Sequence, residues 1–275
     1  MKIKNKITDD IADTLYITLI MKCKETHRKN AFFHDPVACD LVGKIDYDFS
    51  KYEKVIRSSV GTAIRARYFD QITKEFIENN TNTVIVHLGC GLDSRFQRIG
   101  KPVMDKTVFY EIDLPEVMEL RKELIPESKN NPYIAASMFE TRWMDNLKAK
   151  HPDSKFLFIV EGVFMYFNNG EVKSVIQNMA SRFGNSMLVF DAVSSWMCKN
   201  SYRHDAVKLS KATFKFACDD SRLLEQWNSK LKFVSVKYYN NFKAWRKAGF
   251  VNWLGMNMIP TFSKASRMLI YRIEN

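Results

Sequence analysis

The stretch TVIVHLGCGLDSRF, Thr83 to Phe96, sets a run of β-branched and apolar residues against a Gly89-Cys90-Gly91 turn. Glycines at such a turn let backbone come close to a ligand with no Cβ in the way. About 20 residues further on, FYEIDLP puts Glu111 and Asp113 at the end of a second apolar run, where an acid can hold both hydroxyls of a ribose. Glu161 directly follows a third run, KFLFIV, and a carboxylate there is hard to explain as core. It faces the crevice in which open α/β sheets bind ligands. A strand, a Gly-x-Gly turn and an acid on the next strand point together to a nucleoside-type ligand.

Which nucleoside follows from what is missing. A nicotinamide dinucleotide site wants a third glycine, so that the following helix packs closely below the pyrophosphate. Ser94 stands at that position. Pyrophosphate has no evident cradle, and no hydride-relay pair is visible, which disfavours an oxidoreductase. S-adenosylmethionine carries adenosine and a zwitterionic tail but no phosphate, and the same residues suit it. Cys90, between the glycines, reads as packing, since no base is placed beside it.

These residues need a scaffold. From Thr83 on, seven short β-rich runs alternate with helical spacers: TVIVHL, TVFYEID, PYIAAS, KFLFIVEG, SMLVFDA, LKFVSVKYY and SRMLIYRI. That alternation implies an α/β fold with a mostly parallel, doubly wound sheet. Residues 1–80 read as a helical cap, in which Val60, Ile64, Tyr68, Ile72 and Phe76 recur at every fourth position as one apolar stripe. The chain divides into that cap, a ligand-binding core over 81–191, a helical lid over 192–230 holding Trp196, Phe214, Phe216 and Trp227, and the last strands of the sheet over 231–275. All four parts belong to one domain.

Composition excludes several classes. With 275 residues, 46% of them apolar, one large packed domain can form, and no low-complexity linker divides it. The N-terminus starts basic, as a secretory leader does, but Asp9, Asp10 and Asp13 interrupt it, and it reads as an amphipathic helix. No stretch approaches the ~20 apolar residues of a membrane span, so no membrane partner is expected. The five cysteines form no Cys-x-x-Cys pair and read as reduced thiols of a cytoplasmic protein. The five histidines are scattered, and no metal is expected. The formal net charge is +11, and from Lys199 onward fifteen Lys/Arg face five Asp/Glu. No nucleic-acid module accompanies this surplus, which reads as a solvated surface, with an RNA-binding or RNA-modifying role as the rival.

The ordered motifs VHLGCGLDSRF and FYEIDLPEVMELRKELI resemble those of the leucine carboxyl methyltransferase family, which includes bacterial O-methyltransferases of the polyketide-biosynthesis type. The resemblance extends upstream through MKCKETHRKNAFFHDPVACDLV and IRARYFDQITKEFI, and downstream through IAASMFETRWMD and FIVEGVFMYF, so that it covers about residues 15 to 170. It implies a class I S-adenosylmethionine-dependent fold with N-terminal helices and a lid over the acceptor, and S-adenosylhomocysteine as the product. It further implies that Arg65 holds the methionine carboxylate with Lys24 as a second cation nearby. Gly89 and Gly91 would then form the glycine loop, Asp113 would bind the ribose, and Ser137 and Met138 would flank adenine. Arg67 and Glu111 are the rivals of Arg65 and Asp113.

The acceptor is less legible. Tyr166 in VFMYF and His34 in FFHDP are candidates to line its side, with Tyr166 carried forward as the catalytic candidate. An activated methyl group mainly needs an aligned oxygen, and an ionised carboxylate needs no general base. The aromatic and lysine content of 192–230 suits an aromatic or anionic small molecule. A hydroxyl or carboxyl of such a molecule is the expected acceptor, with a protein C-terminal carboxylate as the closest rival.

Overall fold

A computed structural model describes residues 2–275. The seven β-rich runs all form strands: β1 (Thr83–Leu88), β2 (Thr107–Asp113), β3 (Tyr133–Ala135), β4 (Lys155–Val160), β5 (Ser186–Val193), β6 (Leu231–Tyr238) and β7 (Ser266–Ile273). They make one sheet in the order β3-β2-β1-β4-β5-β7-β6. All pairs are parallel except those of β7, which runs antiparallel to both neighbours. The central strands are buried on both faces, which is why their sequences are near-continuous apolar runs.

The two faces alternate along each strand, as the period-2 pleat requires. Val84, Val86 and Leu88 turn to one core, under Trp143, Met144 and Leu147 of α6 (Arg142–Lys150) and Val172, Ile176 and Met179 of α7 (Asn169–Arg182). Ile85 turns to the other, with Phe109, Leu157 and Ile159 from neighbouring strands. There the stripe Val60, Ile64, Tyr68 and Phe76 of α3 (Arg57–Glu78) covers it, with Ile72 packed alongside. This helix runs without a break for 22 residues because its apolar face repeats in step with the turn.

The cap is completed by α1 (Leu15–Thr26) and α2 (Pro36–Lys44). Asp35 caps α2 by accepting the Ala38 N–H at 3.0 Å, and Pro36 sits at the first helical position, where its missing N–H costs nothing. The amphipathic helix expected from the first residues begins only after Asp9; ahead of it, Ile3–Lys4 pairs as a short strand with Ile45–Asp46. Two other helices pack near the sheet's working end, α4 (Arg95–Ile99) and α5 (Pro115–Leu124).

Three expectations need correction. The segment 192–230 is not a helical lid: it holds one five-residue helix, Ser195–Lys199, and single turns, since its Ser, Asp and Lys residues show no helical period. Phe216 belongs to the main core with Trp227 packed against it, and the segment is pinned where Lys215 and Phe216 donate to the Met165 carbonyl. Residues 231–275 are more than strands, because a helical insertion between β6 and β7 includes α8 (Phe250–Met258). The cysteines are not all reduced thiols. Cys23 and Cys39 are paired, their Cα atoms 4.7 Å apart, because α1 and α2 pack side by side. His27 joins them, so a His/Cys cluster exists that spacing did not reveal. Cys90, Cys198 and Cys218 remain free.

Candidate functional site

At the C-terminal ends of β1, β2 and β4 lies a cavity of about 300 Å³. This is where the strand order reverses, between β1 and β4, and open α/β sheets bind ligands at that point. Gly89 and Gly91 form its floor with φ of +63° and +52°. A Cβ on Gly89 would lie 2.5 Å from Val163 Cγ2, so only glycine fits this turn. Asp113, at the end of β2, lines the cavity and ties the loop down: its carboxylate accepts the Gly91 N–H at 2.7 Å and the Leu114 N–H at 2.8 Å. Burial raises its carboxyl above the usual range, and those two N–H groups offset part of the rise.

Glu111 points elsewhere. It is fully buried, with Oε1 accepting from Arg121 Nη2 at 2.7 Å and Oε2 2.9 Å from His87 Nδ1. Arg121 in turn donates to the Gly91 and Asp93 carbonyls at 3.1 and 2.8 Å, so this ion pair supports the loop from below. Between the two rival acids, the structure brings Asp113 to the cavity. Arg121, which no motif singled out, is a helix arginine ten residues from its partner and gave no signal of its own.

Ser94 shows why the third glycine is dispensable. Its hydroxyl donates to Asp35 at 2.6 Å, joining the loop to the cap rather than to a phosphate, and the helix it precedes is five residues long. Ser137 and Met138 line the same cavity beyond β3. The Ser137 N–H is bonded to Glu140 Oε1 at 3.0 Å.

The far wall is ionic. Arg65 donates from Nε to Glu161 at 3.0 Å and from Nη1 to Asp191 at 2.7 Å. Gly162, with φ +74°, permits this approach: a Cβ there would meet the Arg65 guanidinium at 2.9 Å. Glu161 also pairs with Arg95. Burial alone would raise the Glu161 carboxyl, but Arg95 and Arg65 outweigh it and hold it at about 2. Asp93, ion-paired with Lys22, Arg95 and Arg98, is likewise held well below the carboxylate range against its burial. Arg98 closes the network onto Asp35 and Asp70. Five carboxylates (Asp35, Asp70, Asp93, Glu161, Asp191) thus meet four cations (Lys22, Arg65, Arg95, Arg98), leaving one negative charge in excess.

One cationic expectation changes and one rivalry is decided. Lys24 is not at the cavity: its ammonium donates to the carbonyls of Tyr52, Glu53 and Val55, closing the loop before α3. Lys22, two residues earlier on α1, is the lysine that lines the cavity, and a helix turns residues two apart to different faces. Arg67 is exposed and donates to the Phe32 carbonyl at 3.0 Å, so Arg65 is the arginine in register.

A second cavity, of about 470 Å³, adjoins the first and shares Thr14, Thr18, Arg65 and Gly162 with it. Tyr166 lines this one, whereas His34 is exposed and lines neither. Burial pushes the Tyr166 phenol up to about 12, so it stays protonated at neutral pH. His204, unmarked in the sequence, also lines it; burial pushes its imidazole down to about 4. Its Nδ1 accepts the Val207 N–H at 3.2 Å, which puts the proton of the neutral ring on Nε2. A histidine kept neutral in the fold binds a proton less readily than the unfolded chain, so it subtracts stability as pH falls below about 6.5 toward 4. His204→Gln should therefore shift the acid-unfolding midpoint to lower pH, read by circular dichroism; an unchanged or raised midpoint would contradict this placement.

The sheet order with its one antiparallel strand, and the glycine loop with Ser94 in place of a third glycine facing a ribose-suited acid, define a class I S-adenosylmethionine-dependent methyltransferase. Residues 16–180 match the family described as Leucine carboxyl methyltransferase, and the chain belongs to it. Full-length similarity agrees. The chain is 28% identical over 264 residues to the tetracenomycin polyketide synthesis O-methyltransferase TcmP of Streptomyces glaucescens, covering 95% of this chain and 96% of that one. It is 26% identical to the S-adenosyl-L-methionine-dependent methyltransferase dpfgK of Gibberella zeae, over 84% and 83% of the two. Among solved structures, a DUF574 family protein of Streptomyces avermitilis shares the fold with a TM-score of 0.56 at 10% identity, covering 93% of this chain and 97% of that one. No helix among the described residues is long and apolar enough to cross a membrane.

Proposed function

We propose that the enzyme is an O-methyltransferase acting on a small molecule held in the second cavity. The observation that carries this reading is the shared wall of Thr14, Thr18, Arg65 and Gly162, which sets a roomy, largely apolar chamber directly beside the cofactor cavity. When bound, S-adenosylmethionine supplies a methyl group already activated by its sulfonium. Gly89, Gly91, Asp113, Ser137, Met138, Glu161, Arg65 and Lys22 are the residues placed to hold it.

The chain's own part is to position the acceptor and exclude water. Tyr166 and the Nε2–H of His204 both offer protons rather than take them, so neither serves as a general base. That favours an acceptor oxygen already ionised near neutral pH, a carboxylate or an acidic phenol, with Arg57 and Arg203 on the same wall. Met165, Trp196, Phe214 and Trp245 line the rest and suit a flat, apolar body. The name of the TcmP relative supports oxygen as the acceptor atom.

The test is an acceptor screen with radiolabelled methyl donor, followed by base treatment. Methyl esters release volatile methanol, and aryl ethers keep their label. Label on nitrogen, on RNA or on a protein C-terminus would overturn the proposal. For the cofactor side, Asp113→Ala should weaken S-adenosylhomocysteine binding roughly ten- to hundred-fold, or about 1.5–3 kcal/mol, through loss of a charge-assisted sugar contact. Calorimetry showing less than a three-fold change would remove Asp113 from the ribose site.

A further inference from the structure

The insertion between β6 and β7 gives residues to the second cavity and also carries an apolar outer surface, through Phe250, Leu254 and Met258, that lies outside that cavity's lining. From Phe250 to Ser263 the sequence FVNWLGMNMIPTFS contains no charged residue. On α8, Phe250, Val251, Leu254 and Met258 fall within one arc of about 100° at 100° per residue, and that arc faces outward. Phe250 is 70% exposed, Val251 80% and Met258 69%, and Ile259 and Phe262 extend the patch past the helix end. Scattered exposed apolar side chains are ordinary, but six on one uncharged segment, with Phe250, Leu254 and Met258 outside the cavity lining, mark a surface that something covers.

The surroundings say what. Between Gln226 and Ile273 the chain has nine Lys/Arg and no Asp or Glu. Lys243 and Arg246 stand exposed just before the helix and Lys264 just after the segment. A second copy seated on this face by two-fold symmetry would set these cations against their own equivalents. RNA would match the charge but leave Phe250, Val251 and Met258 without an apolar partner. An anionic bilayer matches both, since apolar side chains enter the acyl boundary while basic residues stay at the headgroups.

We propose that α8 and the segment to Ser263 dock this protein on an anionic membrane surface. The expectation of no membrane partner rested on the lack of a spanning segment, which surface docking does not require. The same segment also walls the second cavity, through Asn252, Gly255 and Met256 and through Val251, Ile259 and Phe262 at the edge of the patch. Docking would then set that cavity's mouth at the lipid boundary and favour an apolar acceptor that partitions into the bilayer. This consequence rests on the second cavity being the acceptor site, whereas docking itself does not.

The experiment is flotation with vesicles of phosphatidylcholine alone or with roughly a quarter phosphatidylglycerol. It compares the native chain, Phe250→Glu/Met258→Glu, and Lys243→Ala/Lys264→Ala, with S-adenosylhomocysteine calorimetry reporting that each variant keeps its fold. The native chain should float with the anionic vesicles and not the neutral ones, and each double variant should bind about ten-fold more weakly or worse with cofactor affinity retained. The proposal is overturned if the native chain ignores anionic vesicles, binds neutral ones equally, or loses nothing in either variant. It is also overturned if the apolar patch instead holds a dimer that Phe250→Glu/Met258→Glu dissociates without lipid. An acceptor screen that fails while flotation succeeds would count against the proposed function and leave docking standing.

Discussion

Arg65→Ala is expected to cost the fold about 3–5 kcal/mol at neutral pH, a large part of a typical domain's stability. The side chain is the partner of two buried carboxylates at the junction of the two cavities, and removal leaves Asp191 with only the Gly162 N–H at 2.6 Å. Burial already raises the Asp191 carboxyl despite Arg65, which offsets part of that rise. Without the arginine the rise must grow, and the sign of the pH dependence follows. A carboxyl whose folded value lies above its unfolded value is best tolerated when protonated, so the variant's deficit is full at neutral pH and shrinks as pH falls toward 5. Urea unfolding at pH 7 and pH 5, with unchanged slope, checks both statements. Arg65→Lys should recover part of the loss, since a point charge can face one carboxylate but not fork between two. A deficit under about 1 kcal/mol, or one that grows in acid, would show that the junction is not held as described.

Glu111→Ala is expected to do comparable damage for a different reason. It removes the carboxylate ion-paired with Arg121, whose guanidinium is fully buried under the glycine loop and cannot shed its charge. A loss of about 3–5 kcal/mol should follow, with a fall in cofactor affinity only as far as the loop shifts. Burial would raise the Glu111 carboxyl, but Arg121 and His87 outweigh it and hold it below the usual range. This contribution is therefore present above the ordinary carboxylate range and is lost as pH drops through the lowered folded value. Glu111→Gln, which keeps the shape and part of the bonding, should lose less than Glu111→Ala. Equal stability of native and Glu111→Ala proteins would contradict the buried pair. A purely affinity-based effect would move Glu111 back to the ribose.

These two residues also show where sequence reasoning stops. The strands were legible because burial on both faces leaves long β-branched runs with turn residues between them, and α3 because its stripe keeps strict four-residue spacing. Gly89, Gly91, Asp113 and Glu161 were legible because each breaks an apolar run at its end, where a side chain or a missing one must serve a ligand. Arg65 and Lys24 came from resemblance alone, and the lysine was misplaced because nothing local to α1 says which face meets the loop. Arg121, His204 and the Cys23–Cys39 pair depend on how neighbouring elements fold back on one another, which carries no periodic signal. The insertion holding α8 is hidden for a related reason: it lies between two runs that read as strands, and 231–275 is taken whole as the end of the sheet.

The measurement closest to the central claim is isothermal titration of the native protein with S-adenosylhomocysteine and, separately, with NAD. One site for S-adenosylhomocysteine per chain and no heat from NAD is the predicted result, since the loop has Ser94 where a pyrophosphate site wants glycine. Micromolar binding of NAD with none of S-adenosylhomocysteine would contradict it.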